Sequence, residues 1–190
     1  MKKTLFITLI IVLAVVFGAQ FAASNNDREH DDDDMLGKAF KRTTDVTAIS
    51  NEKYREECGS CHMAYPAGLL PARSWQQLMG GLDDHFGDNA ELSPETHKEL
   101  TDYLLANSAD SSDARRSQKI MRSLKAGEAP LRITDTAYFH REHHELPDKM
   151  VKDNAKVKSF SNCNACHQRA EQGSFSEREI RIPGYGRWDD

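Results

Sequence analysis

The sequence has no cysteine outside two five-residue motifs, no long apolar run beyond its first two dozen residues, and no excess of positive charge. With one apolar run near the start and none after it, the rest of the chain is expected to be soluble. The charge balance, 25 Lys and Arg against 30 Asp and Glu, excludes a surface built to grip nucleic acid or anionic membrane. No strand–helix–strand alternation is visible, which excludes the setting of a thioredoxin-like thiol pair. Apolar residues are also scarce, at 38% of the chain with a mean hydropathy of −0.68. Two small domains of that composition would struggle to bury a sufficient core unaided.

The four cysteines that are present all fall in Cys58-Gly59-Ser60-Cys61-His62 and Cys163-Asn164-Ala165-Cys166-His167. C-x-x-C-H is the attachment signature of c-type haem. Two thiols three positions apart each form a thioether to one vinyl group of the same porphyrin, and the adjacent histidine reaches the iron. A zinc ribbon has no need of a histidine after each pair, and these pairs lie about 100 residues apart, far beyond ribbon spacing. A disulfide within each pair would be strained. The motifs therefore predict two covalent haems on Cys58, Cys61, Cys163 and Cys166, with His62 and His167 as proximal ligands. Each macrocycle is an apolar plate that side chains pack around, so folding is expected to be weak or absent without haem.

The N-terminus reads as an export signal. Lys2 and Lys3 precede an apolar run from Thr4 to Ala23, and Ala22-Ala23-Ser24 supplies small residues suited to cleavage. Residues 1–24 are expected to be a signal peptide, with an uncleaved anchor as the alternative. Only in the anchored form would the chain contact a membrane. Export places the protein in the periplasm, where bacterial c-type haem is attached. Cleavage removes Lys2 and Lys3 and moves the formal charge from −5 to −7, which suits docking with a basic redox partner. Residues 25–45, including Asp31-Asp32-Asp33-Asp34, are expected to be a disordered acidic spacer.

The polar stretch Asn107–Asp113 reads as a linker. It divides the chain into residues 46–108 and 109–190, each with one haem motif, and the halves do not otherwise repeat. In the first half a helix is expected from Asn51 to Cys58. A loop with Pro66, Gly68 and Pro71 follows. Ser74 is expected to cap the next helix with Gln77 completing a capping box, and Trp75 and Leu78 face inward. Ser93-Pro94 opens a last helix whose inner face is Leu100, Tyr103 and Leu104. In the second half a helix is expected over Asp113–Lys125, ended by Gly127, with Ile120, Met121 and Leu124 on one face. Ile180 and Ile182 alternate as in a short extended segment. The fold class is mainly α.

The order of the first half resembles class I cytochrome c. That resemblance implies Tyr54 and Tyr103 at the crossing of the terminal helices and the Pro71 carbonyl, with Pro66 as its competitor, as acceptor for the His62 Nδ1–H. The distal ligand decides the chemistry, since a six-coordinate iron passes electrons and an open iron binds small molecules. Met63 is too close to His62 to cross the haem. Met79 lies on the core stripe with Trp75 and Leu78, and His97 is expected to be solvated. His85 occupies the loop where class I cytochromes usually place methionine and is the favoured first distal ligand. In the second half His140, His143 and His144 compete at helical spacing, and periodicity does not choose among them. Three histidines in five residues would also suit a metal site.

The run Glu57–Pro66, then Gly68–Trp75, His85-Phe86-Gly87, Arg132-Ile133-Thr134, Arg141-Glu142-His143 and Asn162–His167, resembles the bacterial dihaem cytochrome c family of photosynthetic and related proteobacteria. The resemblance spans nearly all of residues 50–183. It implies a class I-like N-terminal domain joined to a distinct, irregular, haem-organised C-terminal domain. Both irons would be bis-histidine, with His85 and His143 as distal ligands; His140 and His144 have no family role. Imidazole in place of methionine lowers the reduction potential. The resemblance thus implies a periplasmic electron shuttle, with a membrane cytochrome as donor and a small high-spin haem protein as acceptor. The rivals are a dihaem peroxidase and a haem sensor, each needing one open or displaceable iron.

Overall fold

The structure, a computed structural model, describes residues 45–188. The expected signal peptide 1–24 and acidic segment 25–44 lie outside the described residues. Asp45, the last residue of that expected spacer, is held in place: its carboxylate accepts from the Phe175 N–H at 2.9 Å and pairs with Arg116 at 3.5 Å.

Helix α1 (Glu52–Gly59) starts where the Asn51 side chain accepts from the Tyr54 N–H, the usual satisfaction of an orphan amide at a helix start. Tyr54 is its one buried residue, and α1 ends inside the first cysteine motif. Helix α2 (Ala72–Met79) begins earlier than the capping-box reading has it. The Pro71 carbonyl accepts from the Ser74 and Trp75 amides. Pro71 lacks an N–H and has its φ fixed at −69°, so it suits the helix entrance better than Ser74 does. Ser74 is instead carried inside the helix and fully buried, its hydroxyl without a partner.

Helix α3 (Pro94–Ala106) follows its sequence signals. Ser93 Oγ accepts from the Thr96 N–H, Pro94 occupies the first turn, and Leu100 and Leu104 are buried against α2. His97 is not simply solvated: its Nε2 lies 2.8 Å from the Met79 carbonyl, so it ties the end of α2 to the start of α3. The expected linker is also packed. Ser108 and Ala109 are fully buried, the Ala109 amide donates to the Leu70 carbonyl at 2.9 Å, and Asp110 accepts from the Ala72 amide at 2.9 Å. Its polar residues serve internal hydrogen bonds there, which composition alone does not distinguish from solvation.

Helix α4 (Arg115–Ser123) is shorter than expected. It docks through Ser117, whose hydroxyl donates to the Gly68 carbonyl at 2.7 Å, and through Ile120, which is buried; Met121 and Leu124 are half-buried. Helix α5 (Ala137–His143) is capped by Thr136, which accepts from the Phe139 amide. From there to residue 180 the chain is turns and single 3₁₀ turns, including Cys163–Ala165. Side chains hold this stretch: Asn154 donates to the Met150 and Pro183 carbonyls, and Asn162 to the Val157 carbonyl. Strands β1 (Arg181–Ile182) and β2 (Gly186–Arg187) pair antiparallel, bearing out the extended segment.

Two apolar clusters organise the described residues. The first holds Ile49, Tyr54, Leu70, Trp75, Met79, Leu100 and Leu104; the second holds Val46, Met63, Leu69, Ile120, Tyr138 and Phe175. Tyr65 and Ile133 pack against both. The segment 45–49 crosses from one to the other, starting at Val46 and ending at Ile49. The Tyr54–Tyr103 pair sits in the first cluster with ring centres 5.4 Å apart.

Candidate haem centres

The first cysteine motif sits on the end of α1. Cys58 packs against the first cluster, while Cys61 and His62 are exposed. The His62 Nδ1 lies 2.8 Å from the Met63 carbonyl. The Pro71 carbonyl, expected as its acceptor, is engaged by the amides at the start of α2, and the nearer Met63 carbonyl takes its place. With Nδ1 so occupied, Nε2 is the nitrogen left for a metal. Across from it stands His85, ring centres 6.3 Å apart and planes within 23°.

His85 is presented by a tight turn. Its amide donates to the Asp88 carbonyl at 2.7 Å, and Phe86 and Gly87 between them both have positive φ, 59° and 101°. That is the conformation of a two-residue hairpin turn. Gly87 adopts it freely, but a bulky residue in the left-handed region is strained by about 1–2 kcal/mol. Phe86 is 45% exposed, and the Arg132 guanidinium lies 3.8 Å from its ring centre. A residue of the second half therefore pins the loop that carries His85.

In the second half, His143 and His167 face each other with ring centres 6.1 Å apart and planes at 70°. His143 stacks on Phe139 at 4.0 Å, has Phe160 edge-on at 6.1 Å, and places Nδ1 3.0 Å from the Phe139 carbonyl. His140 is exposed, and His144 is exposed with its Nδ1 near the Arg141 carbonyl of its own helix. Of the three competitors, His143 has the ring contact with His167, while His144 also lines the cavity beside them. Met79 is buried in the first core cluster. His143, His167, Cys163, Cys166 and Phe160 line a cavity of about 300 Å³.

An imidazole–metal bond is about 2 Å long, so two imidazoles ligating one ion from opposite sides have ring centres about 6 Å apart. Both pairs meet that spacing. Burial, then the neighbouring His143, holds His167 down at about 4, and burial also lowers His143 and His85. Each of these shifts favours the neutral imidazole, the form that binds metal. The His167 Nδ1 is buried with no partner in the protein. Burial pushes the Cys58 and Cys163 thiols up to about 11, and a thioether removes that titration. The donor set therefore fits a haem in each half: two cysteines, a proximal imidazole and a second imidazole opposite.

Sequence reasoning missed three contributors. Tyr65 stacks on His62 at 4.9 Å. Arg132 holds the Phe86 ring. Arg116 reaches over the Tyr138 and Phe175 rings beside the second pair and donates to the Tyr138 hydroxyl and the Phe175 carbonyl. Tyr65 and Arg132 lie within the resembling runs, but nothing in the sequence shows their partners.

Comparison with known proteins gives the same assignment from another direction. A family profile described as dihaem cytochrome c matches residues 54–175. A diheme cytochrome type c from Shewanella baltica OS155 is 45% identical, with a TM-score of 0.61, covering 73% of this chain and 98% of its own. A diheme cytochrome c from Rhodobacter sphaeroides is 44% identical, with a TM-score of 0.61, covering 68% of this chain and all of its own. No curated protein matches the sequence. Among the described residues no helix is long and apolar enough to cross a membrane. Two C-x-x-C-H motifs in a mainly helical fold, a matching profile over more than half of the chain and two near full-length relatives make this a member of the dihaem cytochrome c family, whose members hold two c-type haems and carry electrons between redox proteins.

Proposed function

We propose that the protein is a periplasmic electron shuttle with two low-potential bis-histidine haems, ligated by His62 with His85 and by His167 with His143. One observation carries this reading: each half presents two imidazoles at the 6.3 or 6.1 Å separation that one shared metal ion requires. Haem supplies a one-electron Fe(III)/Fe(II) couple. The protein supplies the rest. Cys58 and Cys61 in one half, and Cys163 and Cys166 in the other, fix the cofactor. The Met63 and Phe139 carbonyls orient His62 and His143 through Nδ1. Phe139 and Phe160 pack around His143 and hold its ring. With His85 and His143 as second ligands, neither iron would keep an open position for peroxide. The division into haem domains 46–108 and 109–190 belongs to this reading. So do a membrane cytochrome donor and a small high-spin haem protein acceptor, both suggested by family resemblance.

Absorption and EPR spectra of the oxidised holoprotein test the proposal. Two low-spin signals are expected, with no far-red methionine–iron band. Near-parallel imidazole planes split the iron d-orbital pair, and near-perpendicular planes leave it close to degenerate. The 23° and 70° arrangements should therefore give two distinguishable signals, rhombic for the first site and strongly anisotropic for the second. A high-spin signal at rest, or rapid reaction with peroxide, would refute the electron-carrier reading.

A second reading has one observation in its favour. The strained φ of Phe86 sits next to His85, and strain beside a ligand favours release of that ligand. A first site that gives up His85 to carbon monoxide on reduction would make the protein a haem sensor instead.

A further inference from the structure

Tyr65 bonds one haem-attachment segment to the other. It lies three positions after His62, and its ring stacks on the His62 imidazole with centres 4.9 Å apart and planes within 29°. Its backbone carbonyl accepts from the Tyr54 hydroxyl at 2.8 Å, which fixes its main chain to α1. Its own hydroxyl crosses to the other half and donates to the Ser161 carbonyl at 2.7 Å. Ser161 stands two residues before Cys163, and the same carbonyl lies 3.7 Å from Cys163 Sγ. The ring packs against both apolar clusters. The phenol is half-buried, and the bond it makes is well within hydrogen-bonding range.

We propose that Tyr65 is a positioning residue that links the His62 imidazole to the Cys163 attachment segment and sets the rate of electron exchange between the two haems. The proposal rests on the bis-histidine reading only in taking His62 as an iron ligand. Two consequences follow from the geometry. The stacked ring limits rotation of the His62 imidazole, which already has Nδ1 engaged by the Met63 carbonyl. The hydroxyl shortens the connected route between the sites: from imidazole to stacked ring, through one hydrogen bond to the Ser161 carbonyl, and on by backbone to the Cys163 thioether. Exchange along it is a balanced one-electron step, in which one iron passes from Fe(II) to Fe(III) as the other passes from Fe(III) to Fe(II). No bond forms or breaks. The phenol keeps its proton, donated to a carbonyl that has no capacity to remove it.

The test uses holoprotein carrying both haems, half-reduced, with interhaem exchange followed by NMR exchange spectroscopy. Y65F keeps the ring over His62 and removes only the donor to Ser161. It should slow exchange several-fold while leaving the EPR g-values of both sites unchanged. Y65L removes the ring as well; it should slow exchange and also shift the g-values of the first site, because the His62 plane is no longer held. Exchange in Y65F at the wild-type rate overturns the proposal, including the case where Tm falls and the rate does not. Phe differs from Tyr by one hydroxyl, so Y65F decides the question even where Y65L fails to retain both haems. The wild-type EPR spectrum tests the bis-histidine reading separately. A high-spin first site refutes that reading, whereas an unchanged Y65F rate refutes only the role of Tyr65.

Discussion

Replacing Gly173 by alanine should destabilise the holoprotein by about 3–5 kcal/mol, a figure that follows from a dihedral penalty, a lost hydrogen bond and lost burial. Gly173 has φ of +76°, which costs an L-residue about 1–2 kcal/mol. A Cβ there would stand 2.2 Å from the Val46 carbonyl oxygen and 3.2 Å from the Ala48 amide nitrogen. The first contact is backbone and has no rotamer to yield, so segment 45–49 must move away by about 1 Å. That movement breaks the Val46 N–H···O=C Gly173 bond of 3.1 Å, worth about 1 kcal/mol. It also lifts Val46 out of a site where it is fully buried, at about 1–2 kcal/mol. Gly127 supplies the control. Its φ is +77°, and nothing lies within 4 Å of its would-be Cβ. Gly127→Ala should therefore carry only the dihedral penalty, about 1–2 kcal/mol. Denaturant unfolding of the oxidised holoproteins, followed by far-UV circular dichroism, measures both. Equal losses in the two variants would refute the reasoning, because the two sites differ in the approach of Val46 and not in φ.

Other substitutions test the haem sites and the core. His143→Met should raise the potential of one haem by on the order of 100 mV, within the ~0.8 V span that axial ligands set, and leave the other unchanged in a redox titration. The same shift from His140→Met or His144→Met would reassign the ligand. Arg132→Gln removes the guanidinium from over Phe86. A cation–π contact at an exposed site is worth about 0.5–1 kcal/mol, so the reduced protein should bind carbon monoxide at the first site about two- to fivefold faster. An unchanged rate in stopped-flow would show that Arg132 does not hold the His85 loop. Ser74→Ala removes a fully buried hydroxyl that has no partner. It should be neutral or stabilising by up to about 1 kcal/mol in thermal unfolding; a clear loss would mean that the hydroxyl has a partner of its own.

What was legible in the sequence is what short spacings decide. The cysteine motifs are fixed by the dimensions of one porphyrin. Ser93-Pro94 and Thr136 are caps whose partners lie three residues away. The apolar stripe Leu100, Tyr103 and Leu104 is fixed by one helical period. What failed was decided by a competing neighbour or by distant partners. Ser74 and Gln77 have the capping-box spacing, but Pro71 lies three residues earlier and takes the role. His97 is held by a carbonyl eighteen residues back. Asn107–Asp113 has the composition of a solvated loop because Ser, Asn and Asp suit two situations equally: exposure to water, and buried turns where they bond to backbone. The ring contact that leads us to propose His143 over His140 and His144 also lay outside periodicity. It depends on Phe160 and His167, which return from a stretch without regular structure.

The contacts between the halves bear on how the electron path is built. Arg132 of the second half holds the loop carrying His85, a candidate ligand in the first. Asp45 and Val46, which precede α1, brace Arg116 and Gly173 beside the second pair. Tyr65 follows the first motif and bonds to the approach to the second. Each haem pair therefore depends on residues from the other side of the Asn107–Asp113 joint, which is itself packed against Leu70 and Ala72. For an electron carrier this has a physical rationale. Tunnelling between two cofactors falls steeply with separation and with gaps in packing. A flexible linker would let that separation wander, whereas reciprocal bracing holds both sites in one arrangement through oxidation and reduction. The scarcity of apolar residues fits the same picture: with two macrocycles as part of the core, the protein needs few large side chains, and Tyr65, Phe139, Phe160 and Phe175 among them pack against the imidazoles.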